Sequence, residues 1–124
     1  MLGQNDAVAT LGVSDLEAAA DFYEHTLGLR VLPSEEAEVK MYQAGSTKLL
    51  VYRSQFAGTN RATAVTWPTP DVDGLVRQLA ANGVKFERYE IPGMTHEGDV
   101  HVSATRRSAW FIDPSGNIHA IVNS

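Results

Sequence analysis

One stretch decides the fold of this chain: Trp110-Phe111-Ile112-Asp113-Pro114-Ser115-Gly116-Asn117. It begins as the aromatic end of a strand and continues as a tight reversal, because Pro114 fixes φ and Gly116 can adopt a positive φ. The apolar residues 118–122 follow directly and predict a strand that returns beside the preceding one. The C-terminus is therefore expected to be a sheet strand, for which the upstream chain supplies partners.

The composition is typical of a globular protein of one domain. The 124 residues are 44% apolar and 20% charged, which is enough to bury a core. The sequence has no cysteine, so disulfides, thiolate metal sites and cysteine nucleophiles are excluded. A net charge of −5 with scattered basic residues argues against nucleic acid as a partner. No apolar run reaches the roughly 18 residues of a membrane span and the N-terminus lacks signal features, so we expect no membrane partner and a cytoplasmic location.

The first half of the chain predicts the element order β-α-β-β-β. Residues 7–13 form a short apolar run, and Ser14 with Glu17 predicts the start of a helix by the capping-box pattern. Apolar residues at helical spacing then predict a helix from about Asp15 to Thr26, which ends at Gly28. Three more strands are predicted over residues 29–32, 39–43 and 47–53.

The same order begins again after a polar linker over residues 55–61. Its predicted elements are a strand, a helix and three further strands, over residues 62–67, 70–83, 84–89, 109–112 and 118–122. The stretch 94–107 has no clear pattern. Gly28 and Gly83 each follow a helix and precede a strand, so the sequence indicates an internal repeat of one module.

We interpret the chain as one domain over residues 1–124, with module 1 at about 6–54 and module 2 at about 62–123. Each module makes a sheet with its helix on one face, and the uncovered faces of two modules form a trough. A concave and mostly apolar surface is the usual place of a ligand site, although core or oligomer interface is the alternative for each residue. Alternation along the strands predicts these ligand contacts: Val8, Thr10, Leu50, Tyr52, Ala64, Thr66, Trp110 and Ala120.

Several motifs occur in a characteristic order. They are Val13-Ser14-Asp15-Leu16, Phe22-Tyr23 with Leu27-Gly28-Leu29, Asp71-Val72-Asp73 with Asn82-Gly83-Val84, and the stretch 110–117. Together they resemble the glyoxalase/bleomycin-resistance/extradiol-dioxygenase superfamily, the vicinal oxygen chelate proteins, over essentially the whole chain. The resemblance implies an α+β fold of two tandem βαβββ modules that form a curved mixed sheet around a cup-shaped cavity, usually in a homodimer. It does not imply one activity, since this fold hosts metal-dependent isomerases, lyases and dioxygenases as well as metal-free drug-binding proteins.

The resemblance also implies where the metal ligands of the family would lie, on the first and last strand of each module. The matching positions carry Val8, Leu50, Ala64 and Ala120, none of which can coordinate a divalent cation. An error of one residue would bring in only one ligand-type side chain, His119. We therefore expect no metal and no cofactor.

Two of the histidines are interpreted as structural. His119 is expected beneath the helices with a hydrogen-bond partner, because it lies one residue away from the predicted open-face position. His25 lies near the end of the first helix.

The segment 94–101 holds the other two of the four histidines. His96 or His101 could act as a general acid or base, since imidazole titrates near neutral pH. With Glu97 or Asp99 they could also hold an adventitious metal. A lid over the cup and a plain solvated loop are the alternatives that the sequence leaves open.

Two functions from different classes fit these observations. The first is a metal-independent protein that binds a small hydrophobic or aromatic molecule in its cup, of the sequestration or resistance type, with Tyr52 and Trp110 as aromatic contacts. The second is a metal-independent isomerase, lyase or cyclase that uses His96, His101 or Tyr52 in proton transfer. A glyoxalase I-like metalloenzyme ranks third, because the ligand positions are apolar. Three arginines are candidate anion contacts at the rim: Arg61, Arg106 and Arg107.

Overall fold

The strands and helices follow the order that the sequence predicts, with one β-hairpin added in the second half. The computed structural model describes residues 1–124. The strands are β1 (Ala9–Val13), β2 (Arg30–Leu32), β3 (Val39–Ala44), β4 (Thr47–Arg53), β5 (Thr63–Thr69), β6 (Phe86–Glu87), β7 (Thr95–Glu97), β8 (Val100–Val102), β9 (Arg107–Ile112) and β10 (Ile118–Asn123). The helical segments are a 3-10 turn (Leu2–Gln4), α1 (Leu16–Ala20), a π-helical segment (Asp21–Thr26) and α2 (Val72–Ala81). The predicted α+β fold class is confirmed, and none of the helices has the length and apolar character needed to cross a bilayer.

The first sheet contains β1 to β4 in the order β1-β4-β3-β2, with β1 parallel to β4 and the other neighbours antiparallel. Alternate residues of β1 and β4 face the helical side, where Leu11, Val13, Leu49 and Val51 are each at most 3% exposed. They pack with the buried ring of Tyr23 into one core cluster. Removing these side chains from water is the main force that holds the helix on this sheet.

The first helix begins one residue later than the predicted capping box implies. Asp15 has the extended backbone of an N-cap, and its Oδ1 accepts hydrogen bonds from the amides of Glu17 at 3.0 Å and Ala18 at 3.2 Å. The expectation that Ser14 caps this helix is wrong, because Asp15 occupies the N-cap position and both the amide and the hydroxyl of Ser14 interact with Oγ of Ser115, at 3.0 and 3.3 Å. A carboxylate cap also places negative charge at the positive end of the helix dipole.

The second part of this helix is π-helical, which regular helical spacing does not predict. The amide of Leu27 donates to the carbonyl of Phe22, five residues back, at 2.8 Å. The segment ends at Gly28, whose φ of +76° suits the predicted stop. Phe22 reaches the second sheet, where its ring centroid lies 6.2 Å from that of Phe111.

The second sheet repeats the order of the first and adds a hairpin. Its strands follow the order β5-β10-β9-β8-β7, with β5 parallel to β10. β6 pairs with β9 as β2 pairs with β3 in the first sheet. The predicted C-terminal hairpin of β9 and β10 is confirmed, with Trp110 opposite Ala120. α2 packs on this sheet through a second core cluster that includes Val76, Phe111 and Ile121.

The stretch 94–107 forms a β-hairpin at the edge of the second sheet. β7 and β8 pair antiparallel around a turn in which Gly98 has a φ of +62°, and β8 continues the pairing to β9. The guanidinium of Arg107 ties this hairpin to α2, because it donates to both carboxylate oxygens of Asp73 at 2.8 and 3.0 Å and to Glu97 at 3.1 Å. The stretch is therefore an ordered extension of the sheet.

The two sheets stay separate, and hydrogen bonds from the turn after β9 join the two halves. The side-chain amide of Asn117 donates to the carbonyl of Gly12 at 2.8 Å, and the Tyr23 hydroxyl donates to Oδ2 of Asp113 at 2.6 Å. Asp113 and Asn117 are both buried although they belong to a turn. The stretch that identifies the fold therefore also fixes the second half on the first.

Candidate functional site

Each sheet has one face under its helix and one face that the chain leaves uncovered, which we call the open face. In the second sheet Ala109, Phe111 and Ile121 pack under α2, so their neighbours Trp110 and Ala120 point to the open face. In the first sheet Leu49 and Val51 pack under the helix, and the intervening residues point to the open face in the same way. These open faces are the surfaces on which the sequence places a ligand.

On the first sheet the predicted residues lie along β1 and β4. Thr10 and Leu50 are direct cross-strand partners, and Tyr52 lies opposite Gly12. The Tyr52 side chain is 38% exposed, and Val8, which precedes β1, is 39% exposed. The first sheet therefore presents an aromatic ring and apolar groups that no part of the chain covers.

On the second sheet three predicted residues form one row across three strands. Trp110 is opposite Ala120, which is opposite Thr66. Ala64 lies beside a bulge, because Ile118 pairs with Thr63 whereas His119 pairs with Val65. A bulge of this kind re-aims side chains and interrupts the ladder.

The indole of Trp110 crosses this row. Its Nε1 donates to Oγ1 of Thr63 on β5 at 3.3 Å, so the ring must pass over β10, which lies between β9 and β5. Ala120 is only 4% exposed although it faces the uncovered side of the sheet. The small side chain of Ala120 thus provides the space in which the indole lies.

The eight predicted contact residues do not line one cavity of a single chain. Ala64 and Thr66 line a cleft of about 390 Å³ between β5 and the β3–β4 hairpin. Val8 lines a different groove near the β3–β4 turn. The others belong to the open faces and line neither of these two cavities: Thr10, Leu50, Tyr52, Trp110 and Ala120.

An aromatic cluster, which we call the aromatic corner, occupies the open face of the second sheet. It consists of Tyr89, His96, His101 and Trp110. The ring centroids of Tyr89 and Trp110 lie 5.4 Å apart at an angle of 71°, and those of His101 and Trp110 lie 4.9 Å apart. His96 packs edge-on against His101 at 4.6 Å. The structure therefore brings His101 next to Trp110 and His96 next to His101, while Tyr52 is on the other sheet.

Both histidines hydrogen-bond to the backbone of one residue, Tyr89. Nε2 of His101 accepts the Tyr89 amide at 2.8 Å, and Nε2 of His96 donates to the Tyr89 carbonyl at 2.9 Å. We call this pair the histidine bracket. It fixes the connection after β6 in the same way as a pair of ladder hydrogen bonds fixes a strand.

His101 is fully buried, and its surroundings favour the neutral form. Burial lowers the pKa of His101, and the neighbouring His96 lowers it further, whereas backbone contacts with Ser108, Tyr89 and Asp99 raise it more weakly. Since Nε2 accepts a hydrogen bond, the proton of the neutral ring is on Nδ1, which has no hydrogen-bond partner. His101 is thus an unusual side chain, held in place through only one of its two nitrogens.

The sequence does not identify Tyr89 as part of the site. It stands at the end of a predicted strand and carries no local motif. Only the pairing of β6 with β9 and of β8 with β9 brings it into contact with both His101 and Trp110. Because these contacts join distant segments, no nearby sequence signal could have revealed them.

The three arginines proposed for the rim have different surroundings. Arg107 is engaged by Asp73 and Glu97, and the hydrogen bond from Arg107 holds the pKa of Asp73 below its usual value. The expectation that Arg107 is available to an anion is therefore wrong. Arg61 and Arg106 are exposed.

His119 lies under the helices, as the sequence predicts. Its Nδ1 accepts the indole N–H of Trp67 at 3.0 Å, and its Nε2 lies 2.9 Å from the Tyr23 hydroxyl. Its ring stacks on Phe111 at 4.7 Å, and burial lowers the pKa of His119 to about 4. His119 is thus a structural residue, and the open face carries no metal ligand from this position.

His25 and the aspartate and glutamate side chains are the remaining groups that could bind a metal. His25 is exposed and lies 3.0 Å from Asp21 across one helical turn. The structure contains no group of three or more histidine, aspartate or glutamate side chains that could hold a metal ion. The four positions that match the ligands of the family carry Val8, Leu50, Ala64 and Ala120.

Comparison with known proteins agrees with this architecture. Lactoylglutathione lyase from Agrobacterium tumefaciens is 18% identical over 97% of this chain and 93% of that one, with a TM-score of 0.72. TnmS3, an antibiotic-binding protein from Streptomyces sp. CB03234, is 23% identical over 96% of both chains, with a TM-score of 0.67. A bleomycin-binding protein complexed with bleomycin is 18% identical over 97% and 98%, with a TM-score of 0.72. At these identities the likeness establishes the fold alone.

The sequence itself assigns the family. No curated protein matches this sequence. The family model of the Glyoxalase/Bleomycin resistance protein/Dioxygenase superfamily matches residues 6–121, which span both sheets and the turn that joins them. The chain therefore belongs to the glyoxalase/bleomycin resistance protein/dioxygenase superfamily.

Proposed function

We propose that this protein binds a small hydrophobic or aromatic molecule on the open faces of its sheets, without a metal, in a sequestration or resistance role. The observation that carries the proposal is the aromatic corner, an ordered group of rings on a face that the chain does not cover. Flat rings of this kind supply large contact areas at a small loss of side-chain entropy. Among proteins of the same fold, a bleomycin-binding protein and an antibiotic-binding protein support the same role.

Binding without a metal is supported by the residues at the ligand positions of the family. Aliphatic side chains offer no lone pair to a divalent cation. The position at Ala120 is also buried, at 4% exposed, and the Trp110 indole crosses the same strand to reach Thr63. A glyoxalase I-like activity has no comparable support, because the likeness to lactoylglutathione lyase extends to the fold alone.

The alternative, a metal-independent enzyme, has weaker support. A general acid or base needs a nitrogen or hydroxyl that substrate can reach. Nε2 of both histidines is engaged by the Tyr89 backbone, and His101 is buried. The groups left for proton transfer are Nδ1 of His96 and the hydroxyl of Tyr52, which lie on different sheets. We therefore place binding ahead of catalysis.

A thermal-shift screen of aromatic natural products tests the proposal. A true ligand raises the melting temperature of the wild-type protein in a concentration-dependent manner. We expect Trp110→Ala, and to a smaller extent Tyr52→Ala, to reduce this shift. Phe56→Ala is the matched control, since Phe56 is 68% exposed in the linker and should leave the shift unchanged. Hits that survive both Trp110→Ala and Tyr52→Ala would move the site elsewhere.

A further inference from the structure

The aromatic corner presents two ring faces at a steep angle. The Trp110 indole is fixed at one end by the hydrogen bond to Thr63, and the Tyr89 ring stands at 71° to it. Two rings in this arrangement accept a third planar ring that stacks on one of them and meets the edge of the other. A globular aliphatic molecule of equal size has no flat face with which to stack on either ring.

The position of Tyr89 depends on the histidine bracket. Residues 88–94 have no ladder hydrogen bonds of their own, because β6 ends at Glu87 and β7 begins at Thr95. The two bonds from His96 and His101 hold the Tyr89 peptide at its amide and its carbonyl. Without them this connection has few contacts that would keep the ring against Trp110.

We propose, on the basis of the binding function above, that the ligand is a planar aromatic ring system which lies in the angle formed by the Tyr89 and Trp110 rings, stacked on one and in contact with the edge of the other, and that His101 is a positioning residue that releases Tyr89 when it is protonated. The bracket then acts as a pH-sensitive control on the affinity of the site. His96 retains its bond to the Tyr89 carbonyl in either of its protonation states, so His101 is the sensitive member.

The chemistry of the release follows from the direction of the hydrogen bonds. Neutral His101 accepts the Tyr89 amide at Nε2. The imidazolium ring has a proton on both nitrogens, so Nε2 becomes a donor that faces another donor. The hydrogen bond is lost, and the ring must turn or the Tyr89 peptide must move away.

The groups around His101 oppose its protonation. The pKa of His101 lies below the ordinary histidine value of 6.5, mainly because of burial and next because of His96 on β7. Trp110 and Ser108 on β9 carry no charge, and Tyr89 is the other titratable group in contact. Glu87 on β6 lies opposite Trp110, and its charge raises the pKa of Tyr89. No carboxylate forms an ion pair with His101. We therefore expect the loss of the Tyr89 hydrogen bond at a pH below the ordinary histidine pKa of 6.5.

The test uses 1-aminoanthracene as a planar fluorescent probe and adamantan-1-ol as a non-planar competitor of similar bulk. We expect the wild-type protein to bind the probe at neutral pH, with little competition from adamantan-1-ol. Tyr89→Ala should weaken binding by about tenfold, whereas Tyr89→Phe keeps the ring and should retain it. As the pH is lowered from about 7.5 to values below the ordinary histidine pKa of 6.5, the wild-type affinity should fall while circular dichroism shows that the fold persists.

His101→Gln separates positioning from a purely structural role. Glutamine can accept the Tyr89 amide but does not titrate, so this variant should bind at neutral pH and lose the pH dependence. His25→Gln, at an exposed histidine, should retain the wild-type profile. Hydrogen exchange at the Tyr89 amide gives a readout without ligand. The protection factor of this amide should fall as the pH is lowered in the wild type and should not change in His101→Gln.

The outcomes distinguish this inference from the proposed function. Equal binding of both compounds, or binding unaffected by Tyr89→Ala, overturns the assigned ligand class and leaves the binding function standing. Failure of every tested compound to bind, with Tyr89 protection behaving as expected, contradicts the binding function and leaves the bracket intact. A Tyr89 protection that does not depend on pH, or depends on it equally in His101→Gln, overturns the role of His101.

Discussion

His119 joins the two halves of the molecule through a directed series of hydrogen bonds. The Trp67 indole donates to Nδ1, so the proton of the neutral ring is on Nε2, which donates to the Tyr23 hydroxyl. Tyr23 in turn donates to Asp113, whose other oxygen accepts amides of its own turn. Burial and the nearby Asp113 carboxylate raise the pKa of Tyr23, which keeps its hydroxyl protonated as a donor. Every polar atom of this series is satisfied only when His119 is neutral.

Stability should therefore fall in acid because of His119. The pKa of His119 is about 4 in the folded protein, against 6.5 for an ordinary histidine, so its contribution is complete above about pH 6.5 and is lost as the pH falls through 4. The full loss is about 3 kcal/mol, because each unit between these values is worth about 1.4 kcal/mol. Urea unfolding at several pH values should show a smaller acid loss in His119→Gln than in the wild type. Equal pH slopes in the two proteins would contradict this assignment, and His25→Gln is the control at an exposed histidine.

At the scale of elements, the linker after β4 packs on the turn between β9 and β10. Gly58 has a φ of +73°, and a Cβ at this position would collide with the carbonyl oxygen of Ser115. Gly116 approaches from the other side, since a Cβ there would lie 3.2 Å from Cα of Gly58. The linker is thus part of the joint between the two sheets and not a free connection.

Gly58→Ala should destabilise the protein more than a positive φ alone would. Backbone atoms cannot move away as a side chain can, so we expect a loss of about 2–4 kcal/mol in the free energy of unfolding. Gly93→Ala is a matched control, because Gly93 has a φ of +83° but no atom within 4 Å of the added Cβ. This control should lose only about 1–2 kcal/mol. Similar losses in chemical denaturation of both variants would show that the close approach to Ser115 has no energetic weight.

The sequence predicts elements well where the local pattern and the tertiary contacts agree. Alternation identifies the faces of β4 and β10, so Tyr52 and Ala120 are assigned to the open face correctly. The π-helical segment and the β7–β8 hairpin are missed, because π-helical spacing imitates a regular helix over six residues and the hairpin strands have only three residues each. Tyr89 is missed because its partners come from β7, β8 and β9.

At the scale of the whole molecule, the open faces of the two sheets remain uncovered. Tyr52 on the first sheet and Ile112 on the second are 38% and 37% exposed. The cleft that Ala64 and Thr66 line and the groove that Val8 lines do not include Tyr52 or Ile112. A second copy that covers them would enclose a site between the sheets of two chains, which is the arrangement that we propose.

The protein should therefore be a homodimer in solution. Light scattering coupled to size-exclusion chromatography at about 10 μM should give twice the chain mass of 13.5 kDa, since apolar faces of this kind are stabilised by mutual burial. Ile112→Glu should shift the population to monomer because it places a charge on the open face. Phe56→Glu, at an exposed aromatic residue of the linker, should leave the mass unchanged. A wild-type monomer at this concentration would contradict the proposal.

The Trp110 indole over Ala120 also constrains how this chain can change. We expect a longer side chain at position 120 to compete with the indole for space, so Ala120→Glu should disturb the aromatic corner less when Trp110 has first been replaced by a small residue. The effects of the two positions are then expected to be coupled, and the order of substitution matters. A metal ligand introduced on this strand would therefore come at the expense of the aromatic wall.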